Sequence, residues 1–243
     1  MRPVLEITEA GAADLGLIRS VAAGYGVRIA PDLLAVVRRQ RAEAVAALAD
    51  GRLVYGVNTG MGALSSVRLT EQQQRSHQRN LLLARATGGP PWLEASEARA
   101  VMAVRLLTFL SGDAAVSAEL CQRLADFLNY GLAPAVPRTG AGAAGEIMQL
   151  AHAIGPVAGI GRVLGPGGTL VPASRALREA GLGEFTLGPK EGIALIQGVP
   201  GATALCALRL GEAAALGSPG PGFRRARAPG RCPPRARTRG PAA

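Results

Sequence analysis

The sequence predicts an all-α fold, and three observations carry that prediction. Aromatic residues are only 3% of the 243 positions while hydrophobic residues are 48%. The chain therefore has ample core material but little of the aromatic and β-branched stock that sandwiches and barrels use. Apolar residues recur at helical spacing through several segments, and those segments begin and end on residues that cap helices. Charged residues at 18% exclude general disorder. The length suits one large domain or two small ones, on a prior of ~100–200 residues per domain.

Taken in order, residues 32–49 place Leu33, Leu34, Val37, Ala44, Val45 and Leu48 on one helical face, with Gly51 as the stop. Thr70 and Gln73 have the spacing of a capping box and open a helix to about Leu83. Residues 95–110 carry Ala98, Val101, Met102, Leu106, Phe109 and Leu110 on a broad apolar face, ended by Ser111, Gly112 and Asp113. Ser117 caps a further helix through Leu128, and helices are expected over 145–155, 172–180 and 190–216. The last is apolar nearly all round, through Ala194, Leu195, Ala202, Leu205, Cys206, Leu208, Ala213 and Leu216. Such a helix must be covered on several sides, by a partner subunit or by further chain. Gly- and Pro-rich loops are read at 56–66, 86–92, 131–145 and 155–172.

The net charge of +10 is unevenly placed. Residues 218–243 hold seven Arg and no acid, so removing those seven from 27 leaves 20 basic against 17 acidic residues in 1–217. Arg, Pro, Gly and Ala fill 22 of those last 26 positions, a composition that cannot offset its ordering entropy. The organisation read from sequence is thus a folded domain over 1–217 and a disordered tail over 218–243. The abrupt switch resembles a frameshift product more than an Arg-rich binding tail, so a nucleic-acid partner is not expected. No stretch reaches the ~18 uninterrupted apolar residues of a membrane span, and the start of the chain has no signal-peptide character. Three cysteines, Cys121, Cys206 and Cys232, lack metal-site spacing, which suggests a reducing cytoplasm and no metal.

Two stretches carry chemistry. Tyr55-Gly56-Val57-Asn58-Thr59-Gly60-Met61-Gly62 is a Gly-studded loop headed by a Tyr, with no following helix to make it a phosphate loop. Val136-Pro137-Arg138-Thr139-Gly140-Ala141-Gly142-Ala143-Ala144-Gly145-Glu146 is a small-residue loop running into a helix that contains Leu150-Ala151-His152. That helix N-terminus favours an anion.

Together with Gln78-Arg79-Asn80-Leu81-Leu82, Arg99, Arg105, Leu128-Asn129-Tyr130-Gly131, Pro134 and Gly188-Pro189-Lys190-Glu191-Gly192-Ile193-Ala194-Leu195-Ile196, these motifs resemble, in order, the N-terminal half of the histidine and aromatic amino acid ammonia-lyases. The resemblance covers about residues 5–216. It implies a helical homotetramer with active sites assembled from three subunits. It also implies an electrophilic methylidene-imidazolone formed from an internal Ala-Ser-Gly, and a Tyr base that removes the β-proton so that ammonia leaves. Carried over by position, Tyr55 is the catalytic base, and Gly62, Arg85 and Gln197 are substrate-binding positions.

The sequence departs from the pattern at several of these places. The cofactor positions hold Ala143, Ala144 and Gly145. Ala144 has no β-hydroxyl to leave as water, so no cofactor is expected. Glu146 stands where the family has Asp, Ala84-Arg85 where histidine lyases have Ser-His, and Gln197 where the family has Asn. Of the remaining residues, His152 reads as a hydrogen-bonded structural histidine and His77 as a surface one. Cys121 and Cys206 read as small core residues. Arg85 is either an intersubunit salt-bridge donor or a ligand group, and Gln197 either a site residue or a partner for backbone groups at a helix kink. Three functions follow: an ammonia-lyase for histidine or an aromatic amino acid, impaired in this chain; a non-catalytic truncated homologue acting as an oligomer partner; or an anion or nucleic-acid binder working through the Arg-rich tail. An aminomutase shares the cofactor and meets the same obstacle at Ala144.

Overall fold

The computed structural model describes residues 2–10, 15–48, 51–140 and 145–216. In chain order these form β1 (Val4–Ile7), α1 (Leu15–Ala22), β2 (Gly26–Ile29), α2 (Pro31–Leu48), α3 (Glu71–Leu83), α4 (Ala95–Leu110), α5 (Ala118–Asn129), α6 (Ile147–Ile154), β3 (Arg162–Leu164), β4 (Leu170–Pro172), α7 (Ala173–Glu179), α8 (Glu191–Ile196) and α9 (Pro200–Leu216). Helices dominate, as the composition requires. The two small sheets are additions to the all-α expectation: β1 pairs parallel with β2, and β3 antiparallel with β4 inside the segment read as loop over 155–172.

Helix α4 is the axis. Thirteen of its sixteen residues are buried, and it packs against α1, α5 and α9. Its two internal arginines are held by carbonyls at the ends of other elements. Arg99 donates to Val21 O, Leu128 O and Tyr25 O at 2.9, 2.9 and 2.8 Å, adding a charged donor to carbonyls at the C-terminal ends of α1 and α5 that also accept from Gly24 N and Gly131 N. Phe109, Phe127, Leu124, Leu128, Leu150 and Ile154 lie fully buried in the shared core of α4, α5 and α6.

The predicted caps form. Thr70 Oγ1 accepts from Gln73 N at 3.3 Å while Gln73 Oε1 accepts from Thr70 N at 2.8 Å, and Ser117 Oγ accepts from Leu120 N at 3.1 Å. Helix α2 also forms, but only Leu33 and Val37 of its predicted stripe are buried and Val45 is exposed.

The helix expected over 190–216 divides. Gln197 is extended, Gly198 has φ +79°, and Pro200 disfavours helical backbone in the residue before it. The segment Glu191–Ala213, with mean hydropathy 1.5, is long and apolar enough by composition to cross a membrane. Here the break separates a fully buried α8 from an α9 with one open face. Cys206 lies on that face and is exposed, against expectation, because among the described residues α9 packs chiefly against α1 and α4, on its other side. Residues 218–243 lie outside the described residues.

Candidate functional site

The 55–62 loop is built by its own polar groups. Asn58 and Thr59 are buried. Asn58 Oδ1 accepts from Val54 N and its Nδ2 donates to Arg52 O, both at 2.7 Å. Thr59 Oγ1 accepts from Gly56 N at 3.3 Å and donates to Gly60 O at 2.9 Å. Gly56 turns the chain at φ +68°, backbone that side-chain-bearing residues adopt at a cost. The result is a closed turn with Tyr55 at its edge, half exposed. The Tyr55 phenol oxygen accepts from Gly62 N at 3.2 Å, which leaves the phenol proton free to point elsewhere.

Gln78 locks this turn to the rest of the site. Its buried amide donates from Nε2 to Gly56 O at 3.1 Å and accepts at Oε1 from Ile193 N at 3.2 Å, tying α3, the turn and α8 together. His77 sits beside Gln78 on α3, and Arg85 lies two residues beyond the end of that helix. His77 is half-buried and its Nε2 has no partner among the described residues. Burial, then the Arg85 charge, lower its pKa, and the Gly56 carbonyl opposes them. This corrects the surface assignment of His77: the turn folds over that face of α3. Arg85 donates to Leu81 O at 3.3 Å and approaches Met61 Sδ at 3.5 Å, with no carboxylate partner among the described residues.

On the opposite side, the small-residue loop is anchored at its start. Glu97, buried in α4, accepts from Arg138 Nη2 at 2.6 Å, Arg209 Nη2 at 2.7 Å and Glu94 N at 2.9 Å. Burial acts to raise the Glu97 pKa, but the Glu94 amide and the two arginines outweigh it and hold the carboxyl below its ordinary range. Ala143 and Ala144 lie outside the described residues. Gly145, at φ +71°, and Glu146 bring the chain into α6. His152 is the structural histidine expected: its Nε2 accepts from Gly88 N at 2.9 Å, its ring stands 5.9 Å from that of Trp92, and burial lowers its pKa against the pull of the Ala135 carbonyl.

The third wall is the break between α8 and α9. Glu191 starts α8 fully buried, accepting from Ser117 Oγ at 2.6 Å, Ser117 N at 2.9 Å and Gly188 N at 2.6 Å. Gln197 is exposed at the break, and its carbonyl accepts from Arg105 Nη2. Helix termini thus account for Gln197 through its backbone oxygen, which any residue would supply.

These walls enclose a cavity of about 260 Å³ lined by Tyr55, Met61, Gly145, Glu146, Gln197 and Gly198, with three isoleucines. The structure therefore brings Tyr55, Gly145 and Gln197 to one place. Gly62 borders it through the Tyr55 hydrogen bond, and Arg85 stands behind Met61. Gln78 and Glu191 entered the sequence reading only as members of motifs, with no role at the site, and Glu97 did not enter it. Glu97 had a signal, since Glu94 and Glu97 have the spacing of a capping box, which the structure contains. Among the described residues no three His, Cys, Asp or Glu side chains are grouped to hold a metal ion.

The cavity is apolar with a few converging polar groups, the usual character of a small-molecule site. Known proteins share its scaffold. A probable histidine ammonia-lyase of Thermoplasma acidophilum is 38% identical over 183 residues, 74% of this chain and 37% of that protein. The ergothioneine-degrading enzyme ergothionase of Treponema denticola, solved in complex with desmethyl-ergothioneine sulfonic acid, superposes with a TM-score of 0.80 at 30% identity. That match covers 87% of this chain and 43% of the other. Tyrosine aminomutase of Streptomyces globisporus superposes with a TM-score of 0.79 at 30% identity, covering 86% of this chain and 40% of its own. The chain spans about two fifths of the length of these proteins. The sequence profile of the aromatic amino acid lyases matches residues 14–218, most of the chain, and the protein belongs to that family.

Proposed function

We propose that this chain contributes the N-terminal part of an ammonia-lyase-type site for histidine or an aromatic amino acid, and that elimination is impaired in it as it stands. The observation that carries the first half is the cavity that gathers Tyr55, Gly145 and Gln197. Tyr55 is the base in this reading, its oxygen held by Gly62 N. The second half rests on the residue types. The family's electrophile needs a β-hydroxyl at position 144 to leave as water, and Ala144 offers a methyl group, so the residues present do not fit that group.

Magnitudes support impairment. A positioned general base contributes about 10²–10⁴-fold, roughly 3–5 kcal/mol, whereas enzymes typically lower barriers by ~8–23 kcal/mol. Tyr55 alone falls short without a covalent partner for the substrate. The same substitution favours a second reading, a non-catalytic homologue that acts as an oligomer partner. The open face of α9, with Leu210 and Cys206 exposed and Val199 just ahead of it, supports cover by another copy in a homotetramer or by further chain. We place the protein in the cytoplasm on its cysteine usage alone.

The test is intact mass under denaturing conditions for the wild-type chain and Ala144→Ser. The wild-type chain should show its unmodified mass and Ala144→Ser a deficit of two waters, with ammonia release from L-histidine or L-tyrosine measured on both. A two-water deficit in the wild-type chain would overturn the impairment, and a deficit without activity in Ala144→Ser favours the oligomer-partner reading.

A further inference from the structure

Helix α9 begins on Pro200, so its first free amides are those of Gly201 and Ala202, and both point at one carboxylate. Glu146 Oε2 accepts from Gly201 N and Oε1 from Ala202 N, each at 2.6 Å. Gly201 permits the approach, since a Cβ there would sit 2.7 Å from Glu146 Oε2. On the other side of the break, Arg105 holds the end of α8. Its Nη1 donates to Ala194 O at 3.3 Å and its Nη2 to Gln197 O. Arg105 is 3% exposed, with its guanidinium carbon 5.2 Å from the centroid of the Phe109 ring. Burial pushes its pKa down to about 10 and the Glu146 charge acts against that fall. A carboxylate on the amide end of α9 and a guanidinium on the carbonyl end of α8 each match the local dipole.

We propose that Glu146 is a positioning residue that fixes the Gln197 and Gly198 wall of the cavity relative to Gly145. Glu146 follows Gly145 directly in sequence, so one side chain sets the distance between the cofactor-motif segment and the opposite wall. The family pattern has Asp at this position, one methylene shorter, and in this chain the longer Glu146 side chain places its two carboxylate oxygens on the two amides. The inference rests on reading the cavity as an amino-acid site.

The test compares the full chain with Glu146→Gln, Glu146→Asp and Thr203→Ala. The last removes a bond in the same turn of α9, Thr203 Oγ1 to Val199 O at 2.9 Å, without touching Glu146. Amide exchange at Gly201 and Ala202, the NMR position of the Gln197 side-chain amide, and binding of L-histidine and L-tyrosine by calorimetry are read on each. Glu146→Gln should speed exchange at both amides, shift the Gln197 signal and weaken binding on the order of tenfold, as expected for losing charge-assisted hydrogen bonds. Glu146→Asp keeps the charge and should fall between it and the parent, which decides the matter if Glu146→Gln fails to fold. Thr203→Ala should leave Gln197 and binding unchanged. Unaltered exchange and an unmoved Gln197 signal in Glu146→Gln overturn the proposal, as does an equal effect of Thr203→Ala. If the parent binds neither amino acid, the functional reading fails while exchange and the Gln197 signal still decide the role of Glu146.

Discussion

Replacing Gly192 by Ala tests how α8 is seated, because two physical effects predict opposite signs. Gly192 lies inside α8, where Ala is favoured over Gly by ~1 kcal/mol on helix propensity. A Cβ built at Gly192, however, meets the carbonyl oxygen of Gln78 at 2.3 Å, its Cα at 2.7 Å and its carbonyl carbon at 2.8 Å. These are backbone atoms of α3, so no rotamer relieves the overlap and α8 must move away. Overpacking of this kind costs typically 1–3 kcal/mol. Rigid backbone neighbours place it at the upper end, and the displacement also strains the Gln78 bonds to Gly56 O and Ile193 N. The net is a loss of about 2 kcal/mol, or a fall in Tm of roughly 4–8 °C for a chain of this size. Thermal unfolding followed by circular dichroism measures it, with Gly183→Ala, where a Cβ meets nothing within 4 Å, as the control. A rise in Tm for Gly192→Ala would refute the close seating of α8 on α3.

Three further outcomes follow from the charges and thiols. Glu97 has a folded pKa held below its ordinary value, so its contribution is full above the unfolded pKa and is lost as pH falls through the folded one. Denaturant titrations of Glu97→Gln from neutral to acid pH should show a shallower acid loss than the parent. His152 is held neutral by burial, and its stabilisation is likewise present above the ordinary 6.5 and lost as pH falls below it; His152→Gln should flatten that part of the profile. Burial pushes the Cys121 thiol up to about 12, while Cys206 is exposed. Peptide mapping after brief treatment with iodoacetamide should find Cys206 modified and Cys121 intact.

What the sequence showed about the fold was what acts locally. The Thr70–Gln73 box and the Ser117 cap depend on residues three apart, and both form. The strands were illegible because they are three or four residues long, too short for alternation to register. Burial was half legible. Val45 and Cys206 have core-like side chains at core-like spacing, but exposure depends on which neighbours reach that stretch of helix, and nothing in a single helix records that. In the site, motifs located Tyr55, Gly145 and Gln197. How they are held was not legible, because Gln78 and Glu191 act through backbone groups 22 to 115 positions away and Glu97 through the side chains of Arg138 and Arg209, 41 and 112 positions away.

The departures from the family pattern separate by what they ask of the structure. Gln197 contributes its carbonyl to Arg105, so exchanging its side chain leaves that support intact. Arg85, in the turn after α3, folds back on that helix, bonded to Leu81 O and touching Met61, and needs no acid to be accommodated. Glu146 uses its extra length to reach two amides of α9. Each of these changes is absorbed because the frame is made from main-chain donors and acceptors, which do not depend on side-chain identity. The proposed loss at position 144 is of another kind. A covalent electrophile depends on one oxygen atom leaving as water, and no backbone group elsewhere can supply it. A cavity that keeps its frame while lacking one leaving group is therefore the expected result of these substitutions together, which is why a change at residue 144 is a sharper test of activity than any change in the walls.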